Sequence, residues 1–218
     1  MAVGADSELE HFMDYLTDWF HGTNSRFSQW KIDGRPANLK NGMPLHRGLF
    51  FTRSLLFAKQ SVQAYAANGH VYKSSVLPGK TILNLSRPGE TCTIAESENF
   101  REAVRNVRPG KGNAQVGYQH YWQEGWKTGE IMKFAPPPHE AEHYQRLHHL
   151  ALAFPGTAQS IAVLNQLQAI TRDCIEDIVT AGNLSGYQAI LGNEQQSGAS
   201  YPILIVLDSS ILTPPELV

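Results

Sequence analysis

Hydrophobic residues recur along this chain with two periods, and the switch between them divides it into elements. Leu9, Phe12, Met13 and Leu16 follow helical spacing behind Ser7-Glu8-Leu9-Glu10, which has the form of a capping box. This predicts a first helix of about a dozen residues. The chain then enters Asp18-Trp19-Phe20-His21-Gly22-Thr23, an aromatic strand broken by glycine. Residues 24–47 show little periodicity and contain Gly34, Pro36, Gly42 and Pro44, so they read as loop. Gly48-Leu49-Phe50-Phe51-Thr52 is a second short strand. Ser54 is placed to cap the next helix, where Leu55, Ala58, Val62, Tyr65 and Ala66 share a face and Asn68-Gly69 is the stop. Residues 70–77 and 80–85 read as two strands around the Pro78-Gly79 turn.

Residues 86–158 differ in character and read as a mostly helical insertion into one domain spanning 1–218. They hold a short helix with Phe100, Ala103, Val104 and Val107 on one side, a Pro/Gly/Lys loop at 108–113, and an aromatic run of Tyr118, Tyr121, Trp122 and Trp126. Helical spacing favours packing for that run; an exposed docking platform is the alternative. From Gln159 a long helix carries Ile161, Leu164, Leu167, Ile170, Cys174 and Ile178 in steps of three and four, with Gly182 placed to end it. Tyr187–Leu191, a polar loop with Glu194 in it, and an apolar run from Tyr201 to Leu207 follow. That run is apolar on both faces, as an inner strand must be. The fold class expected is α+β.

Composition adds limits. With 218 residues, 42% of them apolar, the chain is long enough for one domain with a substantial core. A formal charge of −2 offers no general attraction to nucleic acid or to a membrane surface. The two cysteines, Cys92 and Cys174, make no disulfide or metal pattern. The first residues lack a basic start followed by an apolar run, so the expected location is cytoplasmic, or inside a target cell reached without a classical signal peptide.

The most conspicuous motif is His139-Glu140-Ala141-Glu142-His143, which fits H-E-x-x-H, with His149 beyond it. In a zinc peptidase two histidines one turn apart bind the metal and the glutamate activates its water. Three prolines precede His139, so the motif would occupy a helix's first turn. Glu142 and Arg146 surround it with charge, and Arg146 stands where the longer motif needs glycine. A solvated helix start, with Glu140 and Glu142 favouring the positive end of the dipole, explains the same letters. No metal site is expected.

A quieter constellation is more coherent. Phe20-His21-Gly22-Thr23, then Arg47-Gly48-Leu49-Phe50-Phe51-Thr52 with Tyr65-Ala66, then Gly186–Glu194 before the final strand, stand in one order. Together they resemble the ADP-ribosyltransferase superfamily on its diphtheria-toxin and poly(ADP-ribose) polymerase side, over residues 19–85 and 183–212. The resemblance implies a split, mostly antiparallel sheet that clamps NAD+ as substrate. It implies that His21 bonds the adenine-side ribose, that the backbone of Gly22 pairs with the nicotinamide carboxamide, and that Thr23 supports that pocket. Phe50 and Tyr65 would sandwich the nicotinamide ring, with Phe50 standing where the family usually has tyrosine. Glu194 would hold the nicotinamide ribose and face the positive charge developing at the anomeric carbon. His21 and Glu194 are thus the catalytic candidates. The activity implied is transfer of ADP-ribose from NAD+ to a macromolecular acceptor, protein rather than nucleic acid, as in a toxin or effector, with no membrane partner. The alternatives are the zinc peptidase and a noncatalytic module that keeps the fold as an interaction surface.

Overall fold

Which strands can be neighbours is decided by which residues each can bury on both faces. The computed structural model describes residues 17–32, 47–63, 69–107, 128–131, 138–196 and 198–218. The helix expected ahead of Asp18, Tyr65 and the aromatic run at 118–126 lie outside the described residues. Strands β1 (Trp19–Thr23), β2 (Leu49–Thr52), β3 (His70–Ser74), β4 (Ile82–Asn84), β5 (Ala189–Gln196), β6 (Ala199–Val206) and β7 (Glu216–Leu217) form one sheet. Its order is β4-β5-β6-β2-β1-β3-β7. Every pairing is antiparallel except β4 with β5. The helices are α1 (Leu55–Gln63), α2 (Ile94–Asn106), α3 (Pro138–Ala153) and α4 (Ala158–Leu184). The chain is therefore α+β, with an open, mostly antiparallel sheet.

Cross-strand partners share a face, so the register sorts the side chains into two layers. Phe20↔Thr52, Thr52↔Ile203 and Ile203↔Gly192 lie in one row. On that face Phe50, Ile190, Ile203 and Ile205 pack under Phe100 and Val104 of α2 and Ile178 and Val179 of α4. Phe20 packs there against Ala58 and Val62 of α1. The opposite face carries Trp19, Phe51, Leu191, Leu204 and Val206, covered by Trp30 and Ile211. The apolar run is thus buried on both sides from Ile203 to Leu207, while Tyr201 and Pro202 at its start are half-buried.

Three expectations need correcting. Residues 70–77 and 80–85 do not form a hairpin: β3 lies between β1 and β7, and β4 lies at the far edge beside β5. Tight hairpins need positive φ at the first central residue, and Pro78 locks φ negative, so the Pro-Gly turn redirects the chain instead. Gly182 does not end α4. It lies inside the helix, where a Cβ would come within 2.5 Å of Leu207 Cδ1 and 2.8 Å of Ile190 Cδ1. The helix stops at Gly186, whose φ is +78°. There Gly186 N–H donates to Asn183 O and Tyr187 N–H to Gly182 O, a Schellman pattern. Gly186→Ala meets no steric neighbour, so its cost is conformational alone. A drop of roughly 1–2 kcal/mol in unfolding free energy is expected from chemical denaturation. Finally, Glu194 is not in a loop but in β5, opposite Tyr201, because the strands continue to a tight turn at Gly198.

The insertion contributes α2, which starts at a reciprocal capping box between Thr93 and Glu96. It also returns over the helix-covered face at residues 128–131, where Ile131 is fully buried and Gly129 O accepts from Asn193 N–H. Helices α3 and α4 form a hairpin around Leu147, Leu150, Ala151 and Val163.

Candidate functional site

Backbone alternation places the first element of the site. Val218 N–H donates to Val71 O, so the polar groups of Val71 face β7 and those of the next residue, Tyr72, face β1. Tyr72 pairs with His21, and Val71 with Gly22. The N–H and C=O of Gly22 therefore point the other way, towards β2. The register set by Phe20↔Thr52 would bring Gly22 opposite Phe50, yet the β1–β2 pairing is confined to that one pair. The Phe50 carbonyl is instead 2.8 Å from His21 Nδ1. A carbonyl only accepts, so Nδ1 carries the proton in this contact. The imidazole takes the acceptor a continuing ladder would use, the β1–β2 pairing goes no further than Phe20 and Thr52, and the Gly22 amide is directed towards β2.

The His21 ring belongs to the opposite face from α1. Its centroid is 5.3 Å from that of Phe51, 5.5 Å from Trp30 and 6.4 Å from Phe27. Thr23 shares that face by alternation, and its Oγ1 accepts from Ser25 N–H at 3.2 Å. Gly22 has no side chain because α1 sits against it. A Cβ there would lie 2.3 Å from Val62 Cγ2 and 2.7 Å from Ala58 O.

Glu194 lies two residues beyond Gly192 in β5, hence on the face of Gly22, Thr52 and Phe50. Its strand partner Tyr201 stacks on Phe57 of α1, with centroids 4.7 Å apart and planes 7° from parallel. Burial in this corner pushes the Glu194 carboxyl above its ordinary value of 4.5, because a desolvated carboxylate is disfavoured. The side chains of Phe50 and Glu194 and the bare Cα of Gly22 thus share one face, but Gly22 and Phe50 lie on one side of the Phe20–Thr52–Ile203–Gly192 row and Glu194 on the other, three strands from Gly22. The structure does not bring the His21 imidazole or the Thr23 hydroxyl to that face, and β6 and β2 stand between β5 and β1.

Three residues join the site that the sequence did not single out. Thr52 and Ile203 are buried in the row that separates Gly22 from Glu194. Asn193 donates from Nδ2 to Ser86 O at 2.9 Å, tying the insertion's start to β5. Ile203 was legible only as part of an apolar run, and the Asn193 contact spans too many residues for any local signal.

The H-E-x-x-H motif lies on the first turns of α3. Glu142 and Arg146 form an exposed pair at 3.5 Å on that helix, as a solvated face would; the side chains of His139, Glu140 and His143 lie outside the described residues. Among the described residues no group of three His, Cys, Asp or Glu is placed to hold a metal. No helix among them is long and apolar enough to cross a membrane. No family model, curated protein or solved structure matches this chain.

Proposed function

We propose that the chain binds NAD+ where the β1–β2 pairing ends and transfers its ADP-ribose to a macromolecular acceptor, a protein rather than a nucleic acid. The observation that carries this is the Gly22 backbone, whose N–H and C=O are directed towards β2 beyond the last β1–β2 pair, next to Phe50. A carboxamide has one acceptor and one donor group, and a strand residue freed from its ladder offers the matching pair. Phe50 supplies an aromatic surface for the cationic ring. His21 acts in this reading by holding Phe50's carbonyl and keeping the strands apart.

In the transfer, the bond between the ribose C1′ and the pyridinium nitrogen breaks, and its electrons neutralise the leaving nicotinamide. C1′ becomes oxocarbenium-like, the acceptor's nucleophile bonds to it, and the nucleophile's proton passes to solvent. Glu194, as carboxylate, accepts from the 2′-hydroxyl and stabilises the developing charge. The net charge of −2 supports a protein acceptor over a polyanion.

The test is incubation of the purified protein with NAD+ labelled on the adenine side, together with candidate lysate, followed by mass spectrometry of the labelled species. Label on protein and free nicotinamide are expected. Since Glu194 works only when ionised and burial raises its pKa, the acid limb of the rate profile is expected above 4.5. A limb at or below that value would remove Glu194 from the mechanism.

A second reading, a noncatalytic module built on the same fold, is favoured by the packing around β1. Ala58 and Val62 fill the side at Gly22, and Phe27, Trp30 and Phe51 surround the ring of His21. Absence of both nicotinamide release and NAD+ binding by calorimetry would select it.

A further inference from the structure

The turn of the α3–α4 hairpin presents apolar side chains to solvent, and nothing among the described residues uses them. Leu152 is 75% exposed, Phe154 57% and Ile161 50%. Residues 153, 155, 156, 158 and 162 around them are exposed alanines, a proline and a glycine. Between Arg146 and Arg172 the sequence contains no Asp, Glu, Lys or Arg. Contiguous exposed apolar surface of this kind marks a contact site.

Two features say what contacts it. First, part of the turn's hydrogen bonding is internal. Thr157 Oγ1 donates to Phe154 O and accepts from Ser160 N–H, Thr157 N–H also donates to Phe154 O, and Ser160 Oγ donates to Ala151 O. These bonds lower the cost of moving the turn out of water. Second, the charge is layered. Arg146 lies seven residues before the end of α3, about 10 Å along the axis at 1.5 Å per residue. Interfacial elements bury their apolar face about 5–10 Å into the headgroup and acyl boundary. A tip entering that far sets the guanidinium at the depth of the phosphates, which it can grip with two parallel hydrogen bonds. Its pairing with Glu142 is between exposed groups at 3.5 Å and yields readily.

We propose that the α3–α4 tip inserts into the interfacial layer of a lipid bilayer bearing anionic headgroups, with Arg146 at the phosphate level. The surface is the turn of a helix hairpin, not a groove. This is independent of the NAD+ reading, since the tip shares no residue with that site.

Flotation of the full-length protein with vesicles tests it. Co-flotation with phosphatidylcholine–phosphatidylserine vesicles is expected, and weaker binding to phosphatidylcholine alone. Phe154→Asp and, separately, Ile161→Asp are expected to lower the vesicle-bound fraction about tenfold or more. Both positions are exposed, so each variant should melt with wild-type protein by circular dichroism, and either one suffices if the other misfolds. Arg146→Gln is expected to weaken binding to the mixed vesicles about fivefold and to weaken binding to phosphatidylcholine alone by less, because choline offsets the charge of that phosphate. Three results would overturn the proposal. They are no flotation with either vesicle, flotation of both aspartate variants at wild-type level, or a dimer in solution that Phe154→Asp dissolves while vesicles bind nothing. Unchanged binding of Arg146→Gln to the mixed vesicles would refute the phosphate anchor.

Discussion

Glu194→Gln is expected to reduce ADP-ribose transfer by about two to three orders of magnitude while making the protein more stable above neutral pH. The two effects have one cause. Glu194 sits partly buried on the helix-covered face beside Tyr201, and desolvation is what raises its pKa. A carboxylate in that corner is costly to the fold and valuable to a cationic transition state, where poor solvation strengthens its field. Glutamine keeps the shape and removes the charge.

The sign of the stability effect follows from proton linkage. The folded pKa of Glu194 lies above its unfolded value. The native state therefore binds the extra proton, and stability present below the unfolded pKa is lost as pH rises through the folded one. The glutamine variant suffers no such loss. Thermal melts should therefore show the variant above wild type at pH 8 and the gap closing towards pH 4. An active Glu194→Gln enzyme would sink the catalytic assignment. A melting curve that tracks wild type at every pH would show that the carboxylate is not desolvated.

Gly22→Ala is expected to destabilise the fold by about 3 kcal/mol, as overpacking at a rigid contact does. For a chain of this length that corresponds to a fall of roughly 6–12 °C in melting temperature. The added Cβ would lie 2.3 Å from Val62 Cγ2 and 2.7 Å from Ala58 O. A valine methyl can shift, whereas a helix carbonyl moves only with its helix, so α1 must back away from β1. Val62→Ala in the same chain should therefore restore only part of the loss, because the Ala58 contact survives it. Full restoration would place the whole clash in the side chain. Unchanged stability of Gly22→Ala would mean that α1 does not rest on β1, and would remove the wall on that side of the candidate site. Titration of the variants with NAD+ then separates the two readings of Gly22. A helix-packing glycine alone predicts that affinity recovers with stability in the double variant. A carboxamide-binding backbone predicts that affinity stays low wherever the strand remains displaced.

The residues that decide these experiments were unequally visible in the sequence. The existence of β1, β2, α1, α2, α4 and β6 was legible because each carries its own periodic signal or cap: Phe100 and Val104 one turn apart behind Thr93 and Glu96, or an unbroken apolar run ending at Leu207. Local spacing is enough for such elements, since the atoms that stabilise them lie within a few residues. Strand neighbours were not legible. Pro78-Gly79 looks like a hairpin in one dimension, and only the competition among all seven strands for buried partners separates β3 from β4 across the sheet.

The candidate site divides along the same line. Reading along the chain is enough to assign His21, Gly22 and Phe50 to two short aromatic strands, and to place Glu194 close before the last long one. It is also enough for the near-neutral formal charge of −2. Which way each side chain faces is a property of the assembled sheet. A strand's period of two sends neighbours to opposite sides, so the register of β1 on β3 puts the His21 ring away from Glu194 and turns the Gly22 amide towards β2. That register is set by burial summed over the whole sheet, and no window of residues around position 21 contains it.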